Sequence, residues 1–392
     1  MKKFIYILLT ATILSCTKSE VAYEPTHEIG FTAAAGNITK AAVSGSVYPT
    51  DLNMYINSYV HATDAEGTPV VPRTPDYIDN GEFTYVNTYG AYTGDNSLTE
   101  AELKTKVWGG GSSKDNRHPY YWPNQRTLHF SGYSKSGSYT SASYNPSTDQ
   151  LTITGYNPGT GNNDLMWFPS TKYTNSEGYD KNTKYVPVNM YHTCSWITFM
   201  VQGDQTTGGS GSTYTITSLT MKGLDMTANV VCTGNESLPQ NNLSTYIKWS
   251  ENTTQTETYS VTVKNNGVAL ASTYHAANYI TPKNIETGEA KTTEPGEPEE
   301  VTKKGNIIVI PQTPGTIDIA WTYKSSTNAI MSDSATGLSL SLGKETVNSV
   351  EVEKQWQPGK HYIYTITIKA NEIVIAPTPA LWTTGNSNVT VE

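Results

Sequence analysis

The sequence predicts an all-β fold of the sandwich kind, and three observations carry that prediction. Tyr (27 residues) far outnumbers Phe (6), and Thr, Ser, Asn and Gly crowd the chain, which suits pleated surfaces and turns better than helices. Apolar residues make up 36% of the chain, below the roughly 45–50% of an average protein, so the core must be thin and built partly from Tyr and Trp. Short apolar runs of period two recur between turn residues, with almost no helical periodicity. At 392 residues the natural prior is two domains. A net charge of −9 argues against nucleic acid, whose phosphates need a basic footprint.

The chain opens on a secretory signal. Lys2 and Lys3 form a positive n-region, and the apolar stretch from Phe4 to Leu14 is shorter than the about 20 residues needed to span a bilayer. Ile13-Leu14-Ser15-Cys16 resembles a bacterial lipobox. That implies removal of residues 1–15, acylation of Cys16 and membrane attachment through lipid, since no later segment is apolar enough to cross. The alternative is an ordinary signal peptide in which Cys16 is incidental. Two cysteines remain, Cys194 and Cys232. An exported protein permits a disulfide between them, but each also sits in an apolar strand where a free thiol packs as a small hydrophobe.

The elements follow in order. Ile29, Phe31, Ala33 and Ala35 alternate with Gly30, Thr32 and Ala34, the pattern of a half-buried strand. Residues 37–45 read as an exposed linker carrying one basic residue, Lys40. Leu52, Met54 and Ile56 alternate in a second strand, and residues 64–82 read as loop. One short helix is expected over 97–108, with Thr99 and Glu102 as a capping box and Gly109 as the left-handed cap. Leu128 and Phe130 share one face of the next strand. The stretch from Tyr191 to Val201 reads as one continuous buried strand. Residues 283–305 form an acidic, Pro-containing surface insertion. Ile317, Ile319, Trp321 and Tyr323 share one face, as do Tyr362, Tyr364, Ile366 and Ile368. Ile373, Ile375, Leu381, Val389 and Val391 punctuate the last stretch, where Pro377 and Pro379 suggest two short strands joined by an extended hinge.

Nothing in the spacing signals catalysis. No two of the seven histidines are closer than 11 residues, so no paired-histidine metal motif exists, and no cofactor is expected. The Ser341-to-Lys344 S-x-x-K match lacks its partner motifs. The glycine runs 108–112 and 208–212 do not continue into a phosphate-binding signature and read as flexible loops. The 8 Trp and 27 Tyr either offer a sugar-stacking face or fill a Leu-poor core.

Several phrases, in order across nearly the whole chain, resemble the fimbrillin family, the subunits of type V pili of Bacteroides and its relatives. They are Ile38-Thr39-Lys40-Ala41; Val107-Trp108, then Tyr120-Tyr121-Trp122-Pro123 and Leu128-His129-Phe130; Asp164-Leu165-Met166, then His192-Thr193-Cys194-Ser195-Trp196; Ile308-Val309-Ile310-Pro311-Gln312; and Trp356-Gln357-Pro358-Gly359-Lys360-His361-Tyr362. The resemblance implies two transthyretin-like sandwiches in tandem with Greek-key-like connections, over residues 41–185 and 186–392, behind a signal (1–15) and a propeptide (16–40). It implies a structural, non-enzymatic subunit of an outer-membrane, cell-surface fimbrium that serves adhesion. A trypsin-like protease would cut between Lys40 and Ala41, where the family's better-known site has Arg. That cut would remove Cys16 with its lipid and the strand bearing Ile29, Phe31, Ala33 and Ala35. The opened edge would take a donor strand from another fimbrial subunit in a head-to-tail polymer, with Ile373, Ile375, Leu381, Val389 and Val391 as the donor residues. The alternative is that this segment simply completes the second domain's own sheet. Asp333-Ser334-Ala335, read as a turn, resembles the O-glycosylation tripeptide of Bacteroides relatives, which would place a glycan on Ser334.

The rival reading keeps the chain anchored in the outer membrane, as a surface lipoprotein presenting a Tyr/Trp face to glycans or as an anchor or tip accessory. The excess of Tyr over Phe suits a core that opens during assembly, because amphipathic rings tolerate exposure.

Overall fold

A computed structural model describes residues 28–35, 39–40, 43–44, 48–63, 69–71, 75–88, 106–123, 127–159, 163–174, 185–203, 213–234, 238, 240–250, 256–270, 281–290, 307–325, 327–369 and 373–381. Cys16, Ala41, Val389, Val391 and the glycine run 208–212 lie outside them.

The first half carries β1 (Gly30–Ala35), β2 (Thr39–Lys40), β3 (Val43–Ser44), β4 (Met54–Thr63), β5 (Pro69–Val70), β6 (Ile78–Thr88), β7 (Lys106–Ser113), β8 (Asn116–Arg117), β9 (Thr127–Ser134), β10 (Ser141–Asn145), β11 (Gln150–Tyr156), β12 (Met166–Thr174) and β13 (Val186–His192). The second half carries β14 (Ser195–Gly203), β15 (Thr213–Leu224), β16 (Ala228–Thr233), β17 (Ile247–Trp249), β18 (Glu257–Val261), β19 (Val268–Ala269), β20 (Lys283–Asn284), β21 (Ile307–Val309), β22 (Thr316–Lys324), β23 (Ile330–Ser339), β24 (Lys344–Val347), β25 (Val350–Glu353), β26 (Lys360–Ile368) and β27 (Ile373–Leu381). The all-β class holds.

The first sheet runs β1-β13-β12-β9-β4-β6-β7-β8, and β1 also pairs with β7. The seven strands from β1 to β7 in that order therefore close on themselves. This is a barrel rather than an open sandwich, and closure removes the sheet edges that would otherwise need protection. Its interior is filled by Phe31, Phe83, Phe130, Phe168, Trp108, Met54, Ile56 and Val186, among others.

A four-stranded sheet, β10-β11-β16-β17, covers the barrel's outer face. Tyr59 of β4 and Tyr133 of β9 point into the second core that results, together with Leu151, Ile153, Val230 and Cys232. Residues 228–249 thus pair with strands of the first half. The boundary expected between 185 and 186 also falls ahead of β13, which pairs with β1 and β12. The apolar run 191–201 is not one strand. It breaks at Thr193 and Cys194, so that β13 ends in the barrel and β14 begins in the next sheet.

The second half is a sandwich. One sheet is β20-β14-β26-β27 with β21 also on β14, and the other is β18-β15-β22-β23 with β19 also on β15. Ile317 and Ile319 from one face meet Tyr362, Tyr364 and Ile366 from the other. Trp356 Nε1 donates to the Tyr364 hydroxyl at 2.9 Å, which donates to Leu340 O at 2.8 Å, so both polar tips are satisfied inside this core.

Several local expectations are corrected. The C-terminal end of the expected helix 97–108 is strand β7, and the glycine run 108–112 lies within it; the part before 106 falls outside the described residues. Tertiary pairing decides here. A side chain at Gly110 would place its Cβ 2.3 Å from the backbone oxygen of His118, so glycine permits the close approach of the 118 segment. Among the described residues the helical turns are 3-10 only, at Pro146–Thr148 and Gln240–Thr245. Ile78–Thr88 is strand where loop was expected through 82. Thr39 pairs with Ser44 and Lys40 with Val43, so part of the expected linker is a hairpin. Ser334 is exposed on strand β23, not in a turn.

Candidate functional site

The strand β1 is the key of the barrel. Its alternation is real: Ile29 and Phe31 are fully buried and Ala33 nearly so, all in the barrel core. On one side β1 runs parallel to β13 over five pairs, from Phe31 opposite Val186 to Ala35 opposite Met190. On the other it runs antiparallel to β7 over only two, Gly30 with Gly109 and Phe31 with Trp108. Sequence reasoning missed this slot, although the alternation of Val186, Val188 and Met190 was a signal for its wall.

Phe31 sits among three other phenylalanines. Its ring centroid lies 5.0 Å from Phe83 and 5.3 Å from Phe130, both edge-on, and 6.3 Å from Phe168. Four of the chain's six Phe residues therefore meet here. The reason is the hydroxyl: a Tyr in this fully buried place would need a partner that the packing does not offer. The rings packed on Phe31 are thus Phe, while Tyr48 and Trp108 belong to the same core.

Polar ties hold the strand's ends. Ile29 N–H donates to Tyr120 O at 2.7 Å, and Tyr48 N–H donates to Ala33 O at 3.2 Å. Glu28 pairs with the Arg117 guanidinium, both partly exposed. Downstream, Lys40 lies in the β2–β3 hairpin, which joins no other described strand.

The terminal stretch is placed differently from the expectation. Ile373, Ile375 and Leu381 belong to one continuous strand, β27, paired along its whole length with β26. Pro377 and Pro379 stand within it opposite Tyr364 and Tyr362, not at a hinge. Among the described strands β27 lies at the edge of its sheet, where prolines, which cannot donate to a ladder, are tolerated. The first three residues expected in the donor thus complete their own sandwich.

Cys194 and Cys232 are both free and both buried in the middle core. Burial pushes both thiols well above the usual range. The fold brings together histidines far apart in sequence. His129 Nε2 lies 3.3 Å from His61 Nδ1, and His192 Nδ1 bonds the Asp164 carboxylate in a buried pair. Among the described residues no three His, Cys, Asp or Glu side chains converge on a metal-sized site. The Trp side chains 108, 122, 167, 196 and 356 are buried, and among the exposed large hydrophobics Tyr121 is the only aromatic. Trp249, Trp321, Tyr214 and Tyr323 are half-buried.

A family model described as fimbrillin-like matches residues 59–382. The chain belongs to the fimbrillin-like family. This is a family of structural fimbrial subunits, not of enzymes. The matched span leaves β1 on one side and the last ten residues on the other. Among solved structures, a fimbrial protein from Bacteroides vulgatus is 14% identical, with 90% of this chain and 99% of that one covered and a TM-score of 0.48. The tip fimbrial protein Mfa3 from Porphyromonas gingivalis, with C-terminal truncation, is 9% identical, with 91% and 99% covered and a TM-score of 0.33. A fimbrial assembly protein from Parabacteroides distasonis is 10% identical, with 90% and 98% covered and a TM-score of 0.30. No curated protein sequence matches the fimbrillin-like chain significantly.

Proposed function

We propose that this fimbrillin-like chain is a subunit of a cell-surface fimbrium, exported as a lipoprotein through Cys16, matured by a cut after Lys40 and joined to other subunits by strand exchange. The observation that carries the reading is the position of β1. It is the closing strand of the barrel, it precedes Lys40, and it puts Ile29, Phe31 and Ala33 into the core. Burial of Ile29 and Phe31 is worth about 2–3 kcal/mol each, so a cut at Lys40 alone leaves β1 in place. It departs only when another strand supplies equivalent burial, which couples release to assembly. A strand entering the vacated slot would gain main-chain hydrogen bonds from β13 and a lined groove for alternate side chains.

The test is limited digestion of lipid-free precursor with a Lys/Arg-specific protease, followed by N-terminal sequencing and a gel run without boiling. The reading expects a new N-terminus at Ala41 and a detergent-resistant ladder. Cleavage there without a ladder would sink strand exchange, and an intact Lys40–Ala41 bond would sink the maturation step. Metabolic labelling with palmitate should mark the precursor and not its Cys16→Ser variant.

A further inference from the structure

His61 and His129 are 68 residues apart in sequence and neighbours in the barrel wall. In the antiparallel pairing of β4 with β9, Tyr59 stands opposite His129 and His61 opposite Thr127. Alternation puts these four side chains on one face. The two histidines are therefore diagonal neighbours across the pair, a spacing that long side chains bridge. Tyr59 on that face belongs to the middle core, so the histidines lie at the rim of this core, each half-buried.

The separation of the two facing nitrogens is the informative quantity. His129 Nε2 lies 3.3 Å from His61 Nδ1, with the ring planes at 24° and the centroids 5.3 Å apart. Two nitrogens that each sit about 2.0–2.1 Å from one tetrahedral zinc ion stand about 3.3–3.4 Å from each other. Adjacent nitrogens of a square-planar ion at similar bond lengths come to only about 2.8–3.0 Å. We propose that His61 Nδ1 and His129 Nε2 together ligate a divalent transition-metal ion of tetrahedral preference, zinc foremost, on the outer wall of the barrel.

The surroundings suit this. In the present contact one of the two facing nitrogens carries a proton. As the ion binds, that proton moves to the far nitrogen of its own ring, and both facing nitrogens offer lone pairs. His129 is prepared for the exchange. Its Nδ1 lies 3.5 Å from Ser170 Oγ, an acceptor that favours the proton on Nδ1 and leaves Nε2 bare. Its ring is stacked on Tyr59 at 4.6 Å and 15°, which fixes its plane. Of the charges near His129, Asp149 attracts a cation and the exposed Lys172 repels one. Among the described residues no third His, Cys, Asp or Glu joins the pair, so the remaining positions of the ion go to water. His61 with Thr127 is the last pair of the ladder, and the ion therefore clips the end of β4 to β9.

The test is calorimetric titration of zinc chloride into the untagged, lipid-free full chain after dialysis against a chelator. The proposal expects one saturable site that depends on both histidines. His61→Gln and His129→Gln should each weaken it by about tenfold or more, at least the cost of losing an outer-shell partner of a metal. His118→Gln, which removes an exposed histidine outside the pair, should bind zinc as the unaltered chain does. Far-UV circular dichroism checks that each variant is folded. A second measurement needs no variant: zinc should shield His61 and His129 together from diethyl pyrocarbonate, read by peptide mass spectrometry. The absence of saturable zinc binding, binding that survives the loss of either histidine, or protection of fewer than both overturns the proposal.

Discussion

Phe31 stands edge-on to Phe83, with ring centroids 5.0 Å apart and planes at 88°. The contact joins β1, the strand that closes the barrel, to β6 across the barrel interior. Its geometry is the favoured T-shaped one, in which the positive edge of one ring meets the negative face of the other. Phe130 meets Phe31 in the same way from the other side, at 5.3 Å and 85°.

Phe31→Ala should therefore cost the uncut protein about 3–5 kcal/mol, the usual penalty for emptying a buried aromatic site. Urea unfolding followed by Trp fluorescence measures it. A loss under about 1 kcal/mol would mean that β1 contributes little to the barrel and is already loosely held.

The parts legible in the sequence were those whose signal is local. Ile317 and Ile319, or Tyr362 and Tyr364, alternate because one face of each strand is buried, and period two records that directly. The closure of the barrel was not legible. It depends on Phe31 meeting Val186 and Trp108, pairings set by tertiary packing between segments remote in sequence. β7 misled because its glycines serve close backbone approach and carry no strand propensity, while Thr99 and Glu102 offered a capping pattern nearby. Ile29, Phe31 and Ala33 lie where alternation put them, whereas Ile373 and Ile375, expected in a donor strand, pair within their own sheet.

The two prolines of β27 act as edge protection. They remove N–H groups from a strand whose outer side has no described partner. Replacing both, Pro377→Thr with Pro379→Thr, should leave the monomer's melting temperature nearly unchanged and introduce concentration-dependent association. Light scattering across a dilution series reads this directly. Unchanged monomer mass at high concentration would show that the edge is guarded by something other than the prolines.

The thiols of Cys194 and Cys232 should both be silent in the folded state. Cys194 and Cys232 are buried and their thiolates are disfavoured by burial, so a maleimide reagent should label neither in the native protein. In denaturant without reductant, both should label. Two added labels by mass spectrometry match the free thiols; no labelling after unfolding would reveal a disulfide instead.

The Asp164–His192 pair lies at the crossing from barrel to sandwich, with both side chains almost fully buried. Asp164→Ala removes the acceptor facing His192 Nδ1 and leaves a buried polar group without it, at a cost of about 1–3 kcal/mol or more. Asp164→Asn keeps an acceptor oxygen and should cost less. Chemical denaturation of the two variants side by side checks the order; equal losses would mean that the site responds to charge and not to the hydrogen bond.

His129 should make the barrel acid-sensitive. Its ring is stacked on Tyr59 at 4.6 Å, its Nε2 lies 3.3 Å from His61 Nδ1, and Ser170 Oγ is 3.5 Å from its Nδ1. Burial, then the neighbouring His61 and more weakly Lys172, push its pKa down to about 4, while Asp149 opposes them. The unfolded chain takes up this proton near pH 6.5 and the folded chain only near pH 4. Between those values the unfolded state binds more protons, so stability is fully present above about pH 6.5 and falls as the pH drops toward 4. Allowing for solvent around a partly exposed ring, the loss from this group is about 1–2 kcal/mol. His129→Gln removes the titration. The difference in melting temperature between pH 7 and pH 4.5 should therefore shrink in the variant relative to the unaltered chain, and equal differences in the two would show that His129 titrates alike in the folded and unfolded states.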